Sequence, residues 1–135
     1  MGEGHLSALL AVYRDYLTCL NERRWAELGT FVADRLSYNA KQLTVDDYRA
    51  MLQSDVRAIP DLWFHPELLL ADDHVVSCRL LFQCTPQHPF LGFEPTGQRF
   101  TFAEHVFYRF ENRRITDVWS LIDREAVREQ MRQTP

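Results

Sequence analysis

The strongest constraint in this chain is one change of hydrophobic period, from three- and four-residue spacing before Pro60 to two-residue alternation after it. Leu6, Leu9, Leu10, Tyr13, Leu17 and Leu20 recur at helical spacing, which predicts a helix over 6–20 with one buried face and with Arg14, Asp15 and Thr18 on its wet side. Beyond the polar break at Asn21, the positions of Trp25, Leu28, Phe31 and Val32 predict a second, shorter helix ending near Ala33 or Asp34. A short strand is expected at 36–39. Thr44 then stands where its hydroxyl caps a third helix, with Asp47 placed to reach back to the Thr44 backbone N–H. Tyr48, Met51, Leu52, Val56 and Ile59 form that helix's apolar stripe. Pro60 stops it, because proline has no N–H to extend the ladder and pushes its predecessor out of the α region.

Past Pro60, the segments 63–70, 75–85, 99–110 and 115–122 are rich in β-branched and aromatic residues, and turn formers separate them at Asp72-Asp73-His74, 85–89 and 111–114. Four consecutive strands of this kind read as an antiparallel meander. Glu94-Pro95-Thr96-Gly97 suits a type I turn and leaves 90–93 as a loop or short edge segment. Asp123 is positioned to cap a closing helix over 124–133. Helices first and sheet afterwards predict an α+β fold.

A chain of 135 residues with 46% hydrophobic content can bury about two thirds of its unfolded surface in one core, so a single domain over 1–135 is expected. The net charge of −4 offers no basic field for a phosphate backbone or an anionic bilayer, which argues against nucleic acid and membrane partners. No apolar stretch approaches the ~18 residues of a membrane span, and the acidic, amphipathic start does not resemble a leader, so the chain reads as cytoplasmic. Three cysteines cannot all pair internally, and Cys78 and Cys84 on one strand stand roughly 20 Å apart, so structural thiols in a reducing compartment are expected. No Gly-x-Gly-x-x-Gly, phosphate-binding loop or Gly-x-Ser-x-Gly occurs, and His65 with Glu67 lacks a third ligand at metal-site spacing. No cofactor and no metal is therefore expected.

Four short motifs occur in a fixed order: Ile59-Pro60-Asp61-Leu62, Pro95-Thr96-Gly97, Tyr108-Arg109-Phe110-Glu111-Asn112, and Ile115-Thr116-Asp117-Val118-Trp119 leading to Asp123. With the helical start, this arrangement resembles the nuclear transport factor 2-like fold, and within it the SnoaL-like polyketide cyclase branch. The resemblance implies a cone in which N-terminal helices pack into the concavity of a strongly bent sheet, a small-molecule pocket between them, and a homodimer. Departures from the branch are equally visible. Its acid/base carboxylate directly follows the last-strand tryptophan, where this chain has Ser120. Val106 replaces its histidine or aspartate, Arg113 its hairpin glycine, and Cys84-Thr85-Pro86 its Gly-Thr-His segment.

Read from the residues themselves, Glu104 is the lone carboxylate on the face shared by Phe100, Phe102, Val106, Tyr108 and Phe110. Burial there would raise its pKa and suit it to remove a proton beside a carbonyl; the alternative is a structural glutamate held by an arginine. Tyr108 shares its face and could donate to an enolate oxygen, or be a core tyrosine. Asn39 could offer its amide to a substrate carbonyl, or be a turn residue. Arg79, mid-strand among apolar residues, could hold a ligand anion or pair with a carboxylate. Ser120, Trp119 and Asp123 complete the candidate substrate-binding set, with helix capping as the competing role for Asp123. Which residues face Glu104 depends on the last hairpin. A two-residue loop at Asn112-Arg113 pairs Val106 with Trp119, whereas a three-residue loop, which matches the branch, brings Glu104 near Ser120. The leading expectation is a cofactor-independent cyclase, isomerase or lyase acting through Glu104 on an apolar carbonyl compound. Its rival is a non-catalytic ligand-binding or dimerisation module.

Overall fold

The computed structural model describes the backbone of residues 2–133 and the side chains of 8–133, so Leu6 of the expected first helix lies outside the described side chains. Helix α1 (Gly2–Asn21) buries Leu9, Tyr13, Tyr16, Leu17 and Leu20 along one face and leaves Arg14, Asp15 and Thr18 exposed, as the spacing requires. Asn21 ends it by turning its amide to the chain at Phe64, donating to the Phe64 carbonyl at 3.1 Å and accepting from its N–H at 2.7 Å.

The expected second α-helix is instead a single 3-10 segment, Trp25–Thr30, and Val32 already belongs to strand β1 (Val32–Tyr38). Gly29 and Thr30 propagate a helix poorly. The sheet then takes over, because the Ile115 N–H bonds the Phe31 carbonyl at 2.8 Å. β1 turns through Asn39 and Ala40, both at positive φ (48° and 69°), into a strand absent from the sequence reading, β2 (Lys41–Thr44). Thr44 and Asp47 form the expected reciprocal cap of α2 (Val45–Ala58), whose Tyr48 and Leu52 are buried.

The remaining strands are β3 (His65–Ala71), β4 (Val75–Cys84), β5 (Phe100–Glu111) and β6 (Arg114–Ile122), followed by α3 (Arg124–Arg132). β3 starts two residues later than expected, leaving Trp63 exposed. Asp72 fixes the β3–β4 turn by accepting from the N–H groups of His74 and Val75. The six strands form one sheet in the order β2-β1-β6-β5-β4-β3. All neighbours are antiparallel except β1 with β6, which run parallel, so the expected all-antiparallel sheet has one exception.

Along β4 and β5 the even-numbered residues Val76, Cys78, Leu80, Phe82, Phe100, Phe102, Val106, Tyr108 and Phe110 are buried in the core with α1 and α2. The opposite face carries Leu68, Leu70, Phe107, Trp119 and Leu121 exposed. Cys19, Cys78 and Cys84 are free and buried, and burial pushes the Cys78 thiol up to about 11 and that of Cys84 to about 12. No described helix is long and apolar enough to cross a membrane.

Candidate functional site

The site is set by one extra residue in β6. The hairpin has the two-residue loop, with Glu111 opposite Arg114 and both Asn112 and Arg113 at positive φ. Phe110 pairs with Ile115, but Arg109 pairs with Asp117, so Thr116 is a bulge that advances the register by one. Because side chains alternate, this insertion exchanges the faces of everything after it. Val118, Ser120 and Ile122 turn inward, and Trp119 turns out to solvent beside Phe107, with the Arg109 guanidinium 5.5 Å above its ring. The structure thus combines the loop of one expected hairpin with the Glu104–Ser120 proximity of the other.

Ser120 Oγ donates to Glu104 Oε2 at 2.5 Å. Asn39 fixes the serine from behind. Its Oδ1 accepts from the Ser120 N–H at 2.8 Å, and its Nδ2 donates to the Ser120 carbonyl at 3.2 Å. The Asn39 amide is therefore committed to backbone, which corrects the expectation that it reaches a substrate carbonyl. As a turn residue it positions Ser120.

Glu104 borders two adjoining chambers. The outer one, about 170 Å³, has aromatic walls from Phe64, Phe82, Phe90 and Phe102. Its rim is the 85–93 segment, where the Phe90–Phe93 bridge closes a tight turn and the N–H groups of Gln87 and His88 bond the Ala58 carbonyl at the end of α2. The inner chamber, about 50 Å³, is lined by Tyr16, Tyr38, Tyr48 and Tyr108. Tyr16 and Tyr48 share a hydrogen bond of 2.6 Å. Burial holds the phenols of Tyr16, Tyr48 and Tyr108 well above their ordinary range, so they stay neutral donors.

Burial pushes the Glu104 carboxyl up to about 6; the Ser120 hydroxyl opposes that push and the charge of Asp55 adds to it. Asp55, on α2, lines both chambers with Glu104. The protein around its carboxyl raises it to about 6 as well, although its side chain still meets solvent at the mouth. Of the two, Glu104 is the more deeply enclosed. Asp55 lies outside the candidate set that the sequence defines. The available signal was an acid in the last turn of a helix, where the carbonyl-rich end disfavours negative charge.

Three other sequence candidates lie away from these chambers. Arg79 points from the opposite face of β4, its Nε 2.6 Å from Glu67 Oε1 and its Nη1 2.6 Å from His105 Nε2, so it pairs with a carboxylate outside the cavity. Trp119 is turned outward by the bulge. Asp123 caps α3 by accepting from the Ala126 N–H at 3.1 Å. The structure brings together Glu104, Tyr108 and Ser120, adds Asp55, and leaves Arg79, Trp119 and Asp123 outside.

The sequence matches the family described as SnoaL-like polyketide cyclase over residues 10–131. The fold is similar to the crystal structure of a SnoaL-like polyketide cyclase from Agrobacterium tumefaciens str. C58, at 41% identity and a TM-score of 0.89, over 91% of this chain and 97% of that one. It is also similar to TsrD from Streptomyces laurentii, at 17% identity and a TM-score of 0.78, over 97% of each chain. No protein of curated function matches significantly.

Proposed function

The chain belongs to the SnoaL-like polyketide cyclase family, and on that premise we propose that its Glu104 cavity binds an apolar carbonyl compound and transfers a proton on it without a cofactor. The observation that carries the reading is a lone strand carboxyl set beside phenyl rings and hydrogen-bonded to one hydroxyl, which burial pushes up to about 6. A base of that strength is mostly ionised at neutral pH yet stronger than a solvent-exposed glutamate, which suits removal of a proton beside a carbonyl. Tyr108, at the inner end, supplies a neutral hydroxyl for oxygen that gains charge. The family's acid/base carboxylate is replaced by Ser120, and the chemistry moves across the strand pair to Glu104.

The test is α-proton exchange. Acetophenone in D2O with the wild-type protein is expected to gain deuterium at its methyl group faster than in buffer, with the rate rising through about pH 6, and E104Q is expected to lose the acceleration. Full activity in E104Q would end the proposal. The second reading, a binding module without catalysis, draws on Ser120 itself and predicts bound ligand with no exchange at any pH.

For the assembly, the reading extends to a homodimer through the outer sheet face. Cross-strand neighbours there form one row from Leu70 through Ser77 and Phe107 to Trp119 and another from Leu68 through Arg79 and His105 to Leu121, with most of the large apolar side chains exposed. Sedimentation equilibrium of the wild type and of a Phe107→Glu, Leu121→Glu double variant tests it: dimer and monomer, respectively, are expected.

A further inference from the structure

Asp55 stands at the mouth of the Glu104 cavity. It sits in the last turn of α2, where the helix dipole disfavours a carboxylate, and its carboxyl has no hydrogen bond or ion pair with any described residue. Its side chain is exposed at the mouth, with no protein donor to hold its charge. It lines both chambers together with Glu104, and neither lining contains an arginine, lysine or histidine. An anionic ligand would meet two carboxyls and no counter-charge. The outer chamber, at about 170 Å³, is close to the ~150 Å³ cavity that accepts benzene, so it has room for a single ring.

We propose that Asp55 is the second proton-transfer group of this cavity, handing a proton to the oxygen of an uncharged, single-ring-sized carbonyl compound while Glu104 takes one from the neighbouring carbon. The inference rests on the Glu104 reading and deepens it. The roles follow from the surroundings. Ser120 donates to Glu104 and stabilises its ionised form, whereas Asp55 has no donor and lies at the negative end of a helix, so when the pair carries one proton, that proton sits on Asp55. The other titratable groups facing the pair are Tyr16 from α1, Tyr38 from β1, Tyr48 from α2, Cys78 from β4 and Tyr108 from β5, and burial raises every one of them, so none competes near neutral pH. In the step, the C–H bond breaks with its proton going to Glu104, its electron pair forms the C=C bond, and the carbonyl π pair moves to oxygen, which takes the Asp55 proton. The product is the enol, with no oxidation or reduction. The pair ends with Glu104 protonated and Asp55 ionised; in the reverse step Glu104 returns a proton or deuteron to carbon while the enol O–H proton goes back to Asp55, which restores both. Deuterium reaches carbon because the Glu104 carboxyl, once protonated, exchanges with solvent through the chamber mouth that Asp55 shares.

The experiment compares wild type, D55N, D55E and E104Q for deuterium exchange into acetophenone, with binding followed by amide chemical-shift changes and benzoate as the anionic analogue. D55N is expected to be about 100-fold slower than wild type, in the range of general acid–base contributions, while still binding acetophenone. D55E should recover part of the rate, E104Q should match buffer, and benzoate should not bind. If D55N exchanges as fast as wild type and E104Q is silent, Asp55 loses its role and the Glu104 reading stands. If acetophenone binds but wild type matches buffer, both fall. If acetophenone fails to bind, or benzoate binds as well, the ligand class is wrong.

Discussion

Ser120→Ala isolates the hydrogen bond on which the base strength of Glu104 depends. The substitution removes one hydroxyl and leaves the backbone of residue 120 held by the Asn39 amide, so the strand should not move. Hydrogen bonds to charged groups are worth about 1.5–3 kcal/mol, and 1.36 kcal/mol corresponds to one pKa unit, so losing the donor from the ionised form should lift the Glu104 pKa by about one to two units. From a starting value of about 6 in the wild type, the variant should titrate near neutrality or just above. The assay is a 13C NMR titration of glutamate side-chain carboxyls, with E104Q assigning the resonance. A Glu104 midpoint in S120A at or below that of wild type would refute the claim that Ser120 donates to the carboxylate.

The pH dependence of stability follows from the same carboxyl. Its folded pKa of about 6 lies above the ordinary 4.5, so its contribution is fully present below about pH 4.5 and is lost as pH rises through 6. E104Q should therefore be more stable than wild type by about 2 kcal/mol at pH 8 in urea unfolding, and the difference should vanish near pH 4. Asn39→Ala loses two hydrogen bonds to Ser120 and places alanine at φ 48°, so it should cost about 2–3 kcal/mol, while Asn39→Gly, which tolerates that φ, should cost less. Asp123→Ala should lower stability by about 1 kcal/mol, the value of a helix cap, and leave acetophenone binding unchanged.

Local chemistry was legible in the sequence. The α1 stripe, the Thr44–Asp47 cap, the stop at Pro60 and the alternation along β4 and β5 each depend on residues close together in the chain, and the structure has all of them. Where a distant strand decides, the reading failed. Val32 has a helical neighbourhood but is drawn into the sheet beside β6, and Lys41–Thr44 pairs as β2 although its composition is polar and Ala40 is an unusual residue for a left-handed turn. The bulge at Thr116 has no composition of its own, yet it decides that Ser120 faces the cavity and Trp119 faces solvent. Asp55 escaped notice because the apolar stripe of α2 accounts for its neighbours Leu52 and Val56, and only the cavity reveals what it faces.

The kinetic midpoint of exchange tests the account most directly. Acetophenone exchange measured against pH for wild type and S120A should rise with midpoints that coincide with the Glu104 pKa read by NMR in each protein, about 6 in wild type and higher in the variant, and fall again as Asp55 ionises. A rate that is flat with pH, or a midpoint that stays in place while the Glu104 pKa moves, would contradict the assignment of Glu104 as the base.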